Sequence, residues 1–166
     1  MVLWQMLSPK PLLQASFMEN HSFVIRPAVT KDLPQLLGLY THLHEDSVPD
    51  MVAARLVFEQ ILQDDKQSIL LGEIMGEVVS SCTIITVPNL TQGLRAYCLI
   101  ENVVTHNDYR GNGYASKLLQ HAKELAIKNN CYKIMLMTGS KEQSILSFYE
   151  KAGFNRQDKT AFVQWL

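Results

Sequence analysis

One short stretch constrains this chain more than any other, the glycine-containing turn Tyr109-Arg110-Gly111-Asn112-Gly113-Tyr114-Ala115. It stands between a strand pattern over residues 98–105 and a helical pattern over residues 113–128. The small residues would let the backbone approach an anion, and the helix would direct its free N–H groups toward it. A tight turn without a ligand explains this stretch equally well when it is taken alone. No Gly-Lys-Ser/Thr follows, which excludes a P-loop, and the missing third glycine argues against a dinucleotide-binding fingerprint.

The order of apolar patterns predicts one α/β domain with a mixed sheet and the element order β-α-α-β-β-β-α-β-α-β. Strand patterns cover residues 22–26, 68–73, 77–87, 95–105, 132–137 and 160–165. Helical patterns cover residues 30–40, 51–61, 113–128 and 142–151, the first of them capped by Thr30. Met75-Gly76 is typical of a hairpin turn, and Gly153 is typical of a helix C-terminus.

Length and charge narrow the classes of function. A chain of 166 residues that is 47% hydrophobic can bury roughly 70% of its unfolded surface, which excludes a disordered protein. The formal net charge of −1 favours neither nucleic acid nor a membrane surface as a partner. Three cysteines without CxxC spacing argue against a disulfide framework or a cysteine zinc site and favour a cytoplasmic protein. His42 and His44 are two residues apart, unlike a helical metal pair, so no metal is predicted.

The two ends of the chain give two further expectations. Met18 directly precedes a short polar lead into the first strand, so residues 1–17 are expected to be an N-terminal extension. The domain is then expected to comprise residues 18–166. A homodimer through the terminal strand, which ends in Trp165-Leu166, is a second expectation.

Three segments carry a resemblance to a known family. Residues 100–115 strongly resemble motif A of the GCN5-related N-acetyltransferase (GNAT) superfamily, whose pattern is Gln/Arg-x-x-Gly-x-Gly/Ala. Arg110, Gly113 and Ala115 occupy the fixed places of that pattern. Residues 147–154 resemble the later family signature, an aromatic-Tyr pair followed by Gly-Phe, and residues 23–28 resemble its opening strand. The resemblance implies the GNAT fold, a largely antiparallel sheet flanked by about four helices.

The resemblance also implies an N-acetyltransferase that moves the acetyl group of acetyl-CoA directly to a primary amine. The pantetheine arm would then add to the fourth strand at Val103, Val104 and Thr105. The residues implied in binding the cofactor's pyrophosphate are those of the turn and the first helical residues, Arg110, Gly111, Asn112, Gly113, Tyr114, Ala115 and Ser116. The family often has Asn about seven residues before the tyrosine of its later signature, and this chain has Glu142 there.

Acetyl transfer to an amine requires a neutral nucleophile and a proton for the departing thiolate. An alkylamine with a pKa near ~10.4 is neutral about once in 2,500 molecules at pH 7, so deprotonation costs about 4.6 kcal/mol. Glu101 is the candidate general base, acting through water, and a strand glutamate paired with a basic residue is an equal alternative. Tyr149 is the candidate acid for the thiolate, because a phenol with a pKa near ~10 stays protonated at neutral pH.

Three functions remain open on the sequence alone. The leading hypothesis is acetylation of a small-molecule amine, without nucleic acid or membrane as a partner. The alternatives are acetylation of a protein N-terminus or lysine, and a non-catalytic sensor that binds coenzyme A. The stretch around residues 41–49 is expected to help shape the acceptor pocket, and His106 is expected to be a solvated loop histidine.

Overall fold

The computed structural model describes residues 22–43 and 49–166, which form five strands and four α-helices. In chain order these are β1 (Val24–Pro27), α1 (Leu33–Tyr40), α2 (Met51–Gln63), β2 (Gln67–Ile74), β3 (Glu77–Val87), β4 (Tyr97–Thr105), α3 (Tyr114–Lys128), β5 (Ile134–Leu136) and α4 (Gln143–Lys151). None of the helices in these two ranges combines the length and the apolar character that crossing a bilayer requires. The expected N-terminal extension and His44 lie outside the described residues.

The strands form one sheet in the order β1-β2-β3-β4-β5. Neighbours from β1 to β4 are antiparallel, whereas β5 runs parallel to β4. This arrangement confirms the expected mixed and largely antiparallel sheet. Met75 and Gly76 form the β2–β3 turn with φ angles of 52° and 85°, the left-handed pair that a two-residue type I′ hairpin requires.

Helices cover both faces of the sheet. Leu71 of β2 packs with Leu36 of α1 in the core that α1 and α2 form on one face. Leu70, the preceding residue, packs with Leu118 of α3 on the other face, and Phe148 of α4 packs against that second core. Because side chains alternate along a strand, the face that each β residue occupies follows from its place in the sequence.

The starts of the first two helices differ in how they are capped. At α2, Asp50 Oδ1 accepts the backbone N–H groups of Val52 and Ala53 at 3.1 and 3.0 Å, as an N-cap aspartate should. The prediction that Thr30 caps the first helix is wrong. Residues Thr30–Asp32 form a 3-10 turn ahead of α1, and it is Asp32 that occupies the N-cap position of the helix.

The final strand predicted over residues 160–165 is also wrong, since residues 155–166 contain neither helix nor strand. A strand is stable only when a neighbour pairs with it. Residues 160–165 pair with no strand of the described sheet, in which β5 (Ile134–Leu136) is the last strand beyond β4. Phe162 and Trp165 are each 92% exposed. The dimer expected through the end of the chain stays a prediction.

An ion-pair network joins β1, α1 and β2. Arg26 donates from Nη1 and Nη2 to the Asp32 carboxylate at 2.6 and 2.9 Å, and from Nε to Glu73 at 2.8 Å. The Asp32 carboxylate also accepts the backbone N–H of Val29 at 2.8 Å, and its side chain is only 2% exposed. The hydrogen bonds from Arg26 lower the pKa of Asp32 below its ordinary value. This buried carboxylate thus fixes the entry into α1.

We predict that Asp32→Asn lowers the free energy of unfolding at pH 7 by about 2–3 kcal/mol, since it leaves the Arg26 guanidinium short of a buried charge partner. Because the pKa of Asp32 is lower in the native protein than in the unfolded chain, its carboxylate stabilises the fold fully above about pH 4, where Asp ionises in the unfolded chain. This stabilisation is lost as the pH falls through the native pKa of Asp32. Urea unfolding at pH 7 and at lower pH should therefore show the two proteins converging in acid. The control Asp65→Asn, at an exposed pair with Lys66, should match wild type at both pH values. An equal stability of Asp32→Asn and wild type at pH 7 would contradict the prediction.

Candidate active site

Strand β4 is paired unequally on its two edges. Its partner β3 pairs with it from Val87↔Tyr97 to Ser80↔Thr105. On the other edge β5 pairs with β4 only over residues 98–100. The two parallel strands then separate, and residues 101–105 have no strand beside them on that side among the described residues. The resulting split exposes backbone donors and acceptors, which a ligand that behaves as an extended chain can use.

A β-bulge lies where the split begins. In the β3–β4 register Thr83 is opposite Glu101 and Ser81 is opposite Val104, so two residues of β4, Asn102 and Val103, stand against one residue of β3. Asn102 has a φ of 52°, the left-handed conformation that asparagine tolerates better than most residues. Bulges increase local twist and redirect side chains, and they are frequent beside active sites.

The glycine turn follows β4 directly. Gly111 and Gly113 have φ angles of 81° and 77°, which explains why glycine is needed at both positions. A Cβ atom added at either position would meet no atom within 4 Å, so open space lies in front of the turn. Gly113 is the N-cap of α3, and the first described turn of that helix contains no acidic residue.

The start of α3 presents free backbone donors to this space. Lys117 donates its N–H to Gly113 O at 3.1 Å, which is the first hydrogen bond within the helix. The N–H groups of the first helical residues, 114–116, precede this bond and have no intrahelical acceptor, as at any helix N-terminus. An open cleft of about 270 Å³ adjoins them. It is lined by Thr105, Tyr109, Arg110, Gly111, Gly113, Tyr114, Ala115, Ser116 and Phe148. The arrangement fits a phosphate-bearing ligand.

Two side chains hold the turn in place. Arg110 donates from Nε to Thr105 O at 3.2 Å and from Nη2 to His42 O at 3.1 Å. Asn112 donates from Nδ2 to the carbonyls of Tyr109 and Arg110 at 3.0 and 3.2 Å. Arg110 therefore anchors the turn to the ends of β4 and α1, and Asn112 closes the turn on itself.

Tyr149 is positioned by the C-terminus of α4. Gly153, with a φ of 94°, donates its N–H to Glu150 O at 2.9 Å, and Phe154 donates its N–H to Tyr149 O at 3.1 Å. These two bonds form a Schellman motif, in which glycine is favoured because its φ is positive. The rings of Tyr149 and Phe154 also meet edge to face at 6.3 Å. The Gly-Phe pair after the helix thus fixes the direction of the tyrosine.

The two candidate catalytic side chains lie on different faces of the sheet. Tyr149 packs against the core under α3, whereas Glu101 points to the α1–α2 face because its neighbour Ile100 belongs to the α3 core. Burial raises the pKa of the Tyr149 phenol, and nearby Cys82 and Glu101 raise it further. The phenol therefore remains protonated, and able to donate, beyond pH 10.

Sequence reasoning missed a polar cluster on the Glu101 face. The hydroxyls of Ser81 and Thr83 are buried without a hydrogen-bond partner in the described part of the chain. Burial raises the pKa of the neighbouring Tyr40 phenol, and the side chains of Thr83, Ser81 and Asn102 oppose that rise. A serine and a threonine within an apolar strand gave no signal of this cluster, since only the packing of α1 on β3 creates it.

The structure brings most of the expected cofactor residues to one cleft, but not all of them. Seven of the ten line it, whereas Val103, Val104 and Asn112 do not. Tyr109 and Phe148 also line the cleft and were not predicted. A larger cleft of about 640 Å³ lies beside the β3–β4 connection, and none of the residues expected to bind the cofactor or to catalyse the reaction lines it.

The histidines near the glycine turn were also considered as functional residues. His106 Nδ1 accepts the N–H of Asp108 at 3.2 Å and so caps the turn after β4. Its ring lies 4.1 Å from that of His42. Within residues 22–43 and 49–166, no three His, Cys, Asp or Glu side chains form a group that could hold a metal ion.

Comparison with known proteins places this geometry in a family. Residues 33–154 match the model of the acetyltransferase (GNAT) family. The chain is 36% identical over 84 residues to glucosamine 6-phosphate N-acetyltransferase of Trypanosoma brucei brucei, a match that covers 51% of this chain and 55% of that relative. The chain thus spans about half the length of that curated protein.

Solved structures share the whole fold. A presumed acetyltransferase from Agrobacterium tumefaciens strain C58 superposes with a TM-score of 0.83 at 40% identity, covering 86% of this chain and 99% of its own. An aminoglycoside N-acetyltransferase in complex with CoA superposes with a TM-score of 0.74, covering 89% of this chain and 97% of its own. At 17% identity, this second likeness concerns the fold alone.

The family model covers more than half of the chain and includes β4, the glycine turn and Tyr149. The resemblance and the fold expected from the sequence are therefore confirmed. The chain belongs to the acetyltransferase (GNAT) family.

Proposed function

We propose that this protein transfers the acetyl group of acetyl-CoA, bound in the β4–β5 split, to a primary amine of a small molecule. The observation that carries the proposal is the unpaired edge of β4 over residues 101–105, which leads toward the glycine turn at the start of α3. Glu101 begins this stretch, and its charge helps to raise the pKa of Tyr149, so an acid, a carboxylate and a helix N-terminus are available to one ligand. This is the set of groups that acyl transfer to an amine requires.

The free edge of β4 is proposed to bind the pantetheine arm. Val103, Val104 and Thr105 lie in the stretch that has no strand on the β5 side. Amide groups of the arm can bond to this edge as an added strand would. The pyrophosphate would then lie on the backbone N–H groups from Gly111 to Ser116, where no carboxylate in the first turn of α3 opposes it.

Proton movement is assigned to the two side chains at the bulge. Tyr149 donates its phenolic proton to the coenzyme A thiolate as the thioester bond breaks. Glu101, which is half-buried on the other face, accepts a proton from the acceptor ammonium through water. Each side chain transfers one proton. The leaving thiolate is on the Tyr149 side of the sheet, and the attacking amine is on the Glu101 side.

The acceptor is proposed to approach from the face that α1 and α2 cover. That face holds the half-buried side chains of Glu101 and Tyr40, with the buried hydroxyls of Ser81 and Thr83 next to the Tyr40 phenol. Polar groups of this kind suit an acceptor that carries hydroxyl groups near its amine. The name of one similar protein, a glucosamine 6-phosphate N-acetyltransferase, supports amino sugars as the first class to test.

The proposal is tested with a thiol-release assay on a panel of amines. Glucosamine 6-phosphate, an aminoglycoside and a polyamine represent small acceptors, and peptides with a free N-terminus or a lysine represent protein acceptors. We expect saturable release of free thiol with at least one small amine and none above background with the peptides. Turnover of peptides alone would assign a protein substrate. Tight acetyl-CoA binding without turnover of any amine would assign a sensor.

Gly113→Val is predicted to weaken CoA binding by about 100-fold, because a branched residue cannot adopt a φ of 77° and the turn must rearrange. Isothermal titration with CoA measures the change, and near-UV circular dichroism checks the fold. Gly93→Val is the matched control. Gly93 has a φ of 69° and equally open surroundings, but it lies in the β3–β4 connection. Binding by Gly113→Val that equals binding by the control would refute the role of the turn.

Tyr149→Phe is predicted to lower kcat by about 100-fold or more, the range of general acid catalysis, while the Kd for CoA changes less than about threefold. Because the pKa of Tyr149 is raised, wild-type activity should not fall through this group below about pH 10. Tyr132→Phe, which removes a phenol beside β5 and away from the split, should retain wild-type kcat. An unchanged kcat in Tyr149→Phe would remove this tyrosine from the mechanism.

A further inference from the structure

Two of the three cysteines meet at the paired end of the β4–β5 split. The Sγ atoms of Cys98, the second residue of β4, and Cys131, which follows α3, are 3.2 Å apart. Cys98 is fully buried, and Cys131 is partly exposed. All three cysteines are free thiols, and the third, Cys82, is also buried.

The backbone holds these two thiols together. Tyr132 donates its N–H to Ala96 O at 2.9 Å, and Cys98 donates its N–H to Lys133 O at 3.0 Å. Cys131 is tied to the end of α3 by its own N–H, which bonds to Ala126 O at 2.9 Å. The residues on both sides of the sulfur pair are thus fixed by main-chain bonds. The approach of the two sulfurs therefore does not depend on one side-chain rotamer alone.

We propose that Cys98 and Cys131 form a reversible intramolecular disulfide, a modification site that stabilises the domain. The sulfurs need to move about 1.2 Å closer to reach a bond length of ~2.05 Å, a change within the reach of side-chain rotation. The bond would close a loop that contains the glycine turn and all of α3. Closing such a loop restricts the unfolded chain and so raises stability.

Hydrogen peroxide can oxidise the two thiols to the disulfide in two steps that balance in atoms and electrons. The Cys131 sulfur, the more accessible of the two, attacks one peroxide oxygen, so the O–O bond breaks and sulfenic acid and water form. The Cys98 sulfur then attacks the sulfenic sulfur, so the S–S bond forms, the S–O bond breaks and a second water leaves. Two thiols lose two electrons in total, and one hydrogen peroxide becomes two waters.

The rate of this reaction should depend on pH. Burial and the contact with Cys98 raise the pKa of the Cys131 thiol to about 12. Because the thiolate is the nucleophile, the reaction is slow near pH 7 and should accelerate about tenfold for each pH unit up to that value. The disulfide is thus expected to form during sustained exposure to peroxide rather than during brief exposure.

The bond should leave the proposed cofactor site as it is. Cys98 precedes Val103 by five residues of strand, which is about 16 Å along β4. At Cys98 the two strands are already paired, through Ile134 of β5. Oxidised and reduced protein are therefore expected to bind CoA with Kd values within about twofold of each other. The proposal stands on the sulfur geometry and does not depend on which amine is acetylated.

Mass spectrometry of the full chain tests the proposal. The protein is treated with hydrogen peroxide at pH 8.5, its free thiols are alkylated after unfolding, and it is digested with trypsin without reductant. We expect residues 96–110 cross-linked to residues 129–133, with Cys82 alkylated on its own peptide. Thermal unfolding should show a Tm about 5–10 °C higher for the oxidised protein, reversed by dithiothreitol.

Two variants give the controls. Cys82→Ser should form the same cross-link, because its cysteine pair is intact. Cys131→Ala should form none, and peroxide should not raise its Tm. Alkylation of all three cysteines after peroxide treatment, or a cross-link that involves Cys82, would overturn the proposal. A cross-linked wild type with an unchanged or lower Tm would overturn its stabilising role.

Discussion

The unequal pairing of β4 is the constraint on which the rest of the site depends. On one edge, β3 pairs with β4 along almost its whole length. On the other edge, β5 pairs with β4 over only three residues. Backbone donors and acceptors at the centre of a sheet are normally paired, so an open central edge persists only where something else can pair with it. The bulge at Asn102 and the glycine turn lie at the two ends of this open stretch.

Left-handed backbone positions direct each part of the site. Asn102 redirects β4, Gly111 and Gly113 bring the chain round to the start of α3, and Gly153 ends α4 just after Tyr149. Positive φ angles are costly for most residues, and glycine or asparagine occupies all four of these positions. Main-chain geometry thus shapes both ends of the proposed site, the one assigned to phosphate and the one assigned to proton donation.

Much of this was predictable from sequence, because glycine leaves a strong local signal. The turn at Gly111–Gly113 and the helix end at Gly153 follow from residue type, and the order of β1 to α4 follows from apolar periodicity. The cluster of Ser81, Thr83 and Tyr40 was not predictable, since it arises only when α1 packs on β3. The strand predicted at residues 160–165 failed for a similar reason: its apolar pattern fits a strand, but a strand also requires pairing with another strand, and none pairs with these residues in the described sheet.

Hydrogen–deuterium exchange with and without acetyl-CoA tests the central claim most directly, since it reports on backbone N–H groups, the proposed ligands of the cofactor. We expect acetyl-CoA to slow exchange in residues 101–105 and 111–116, while residues 67–74 of β2 exchange as before. Protection that appears instead beside the β3–β4 connection, or unchanged exchange in both predicted segments at saturating acetyl-CoA, would contradict it.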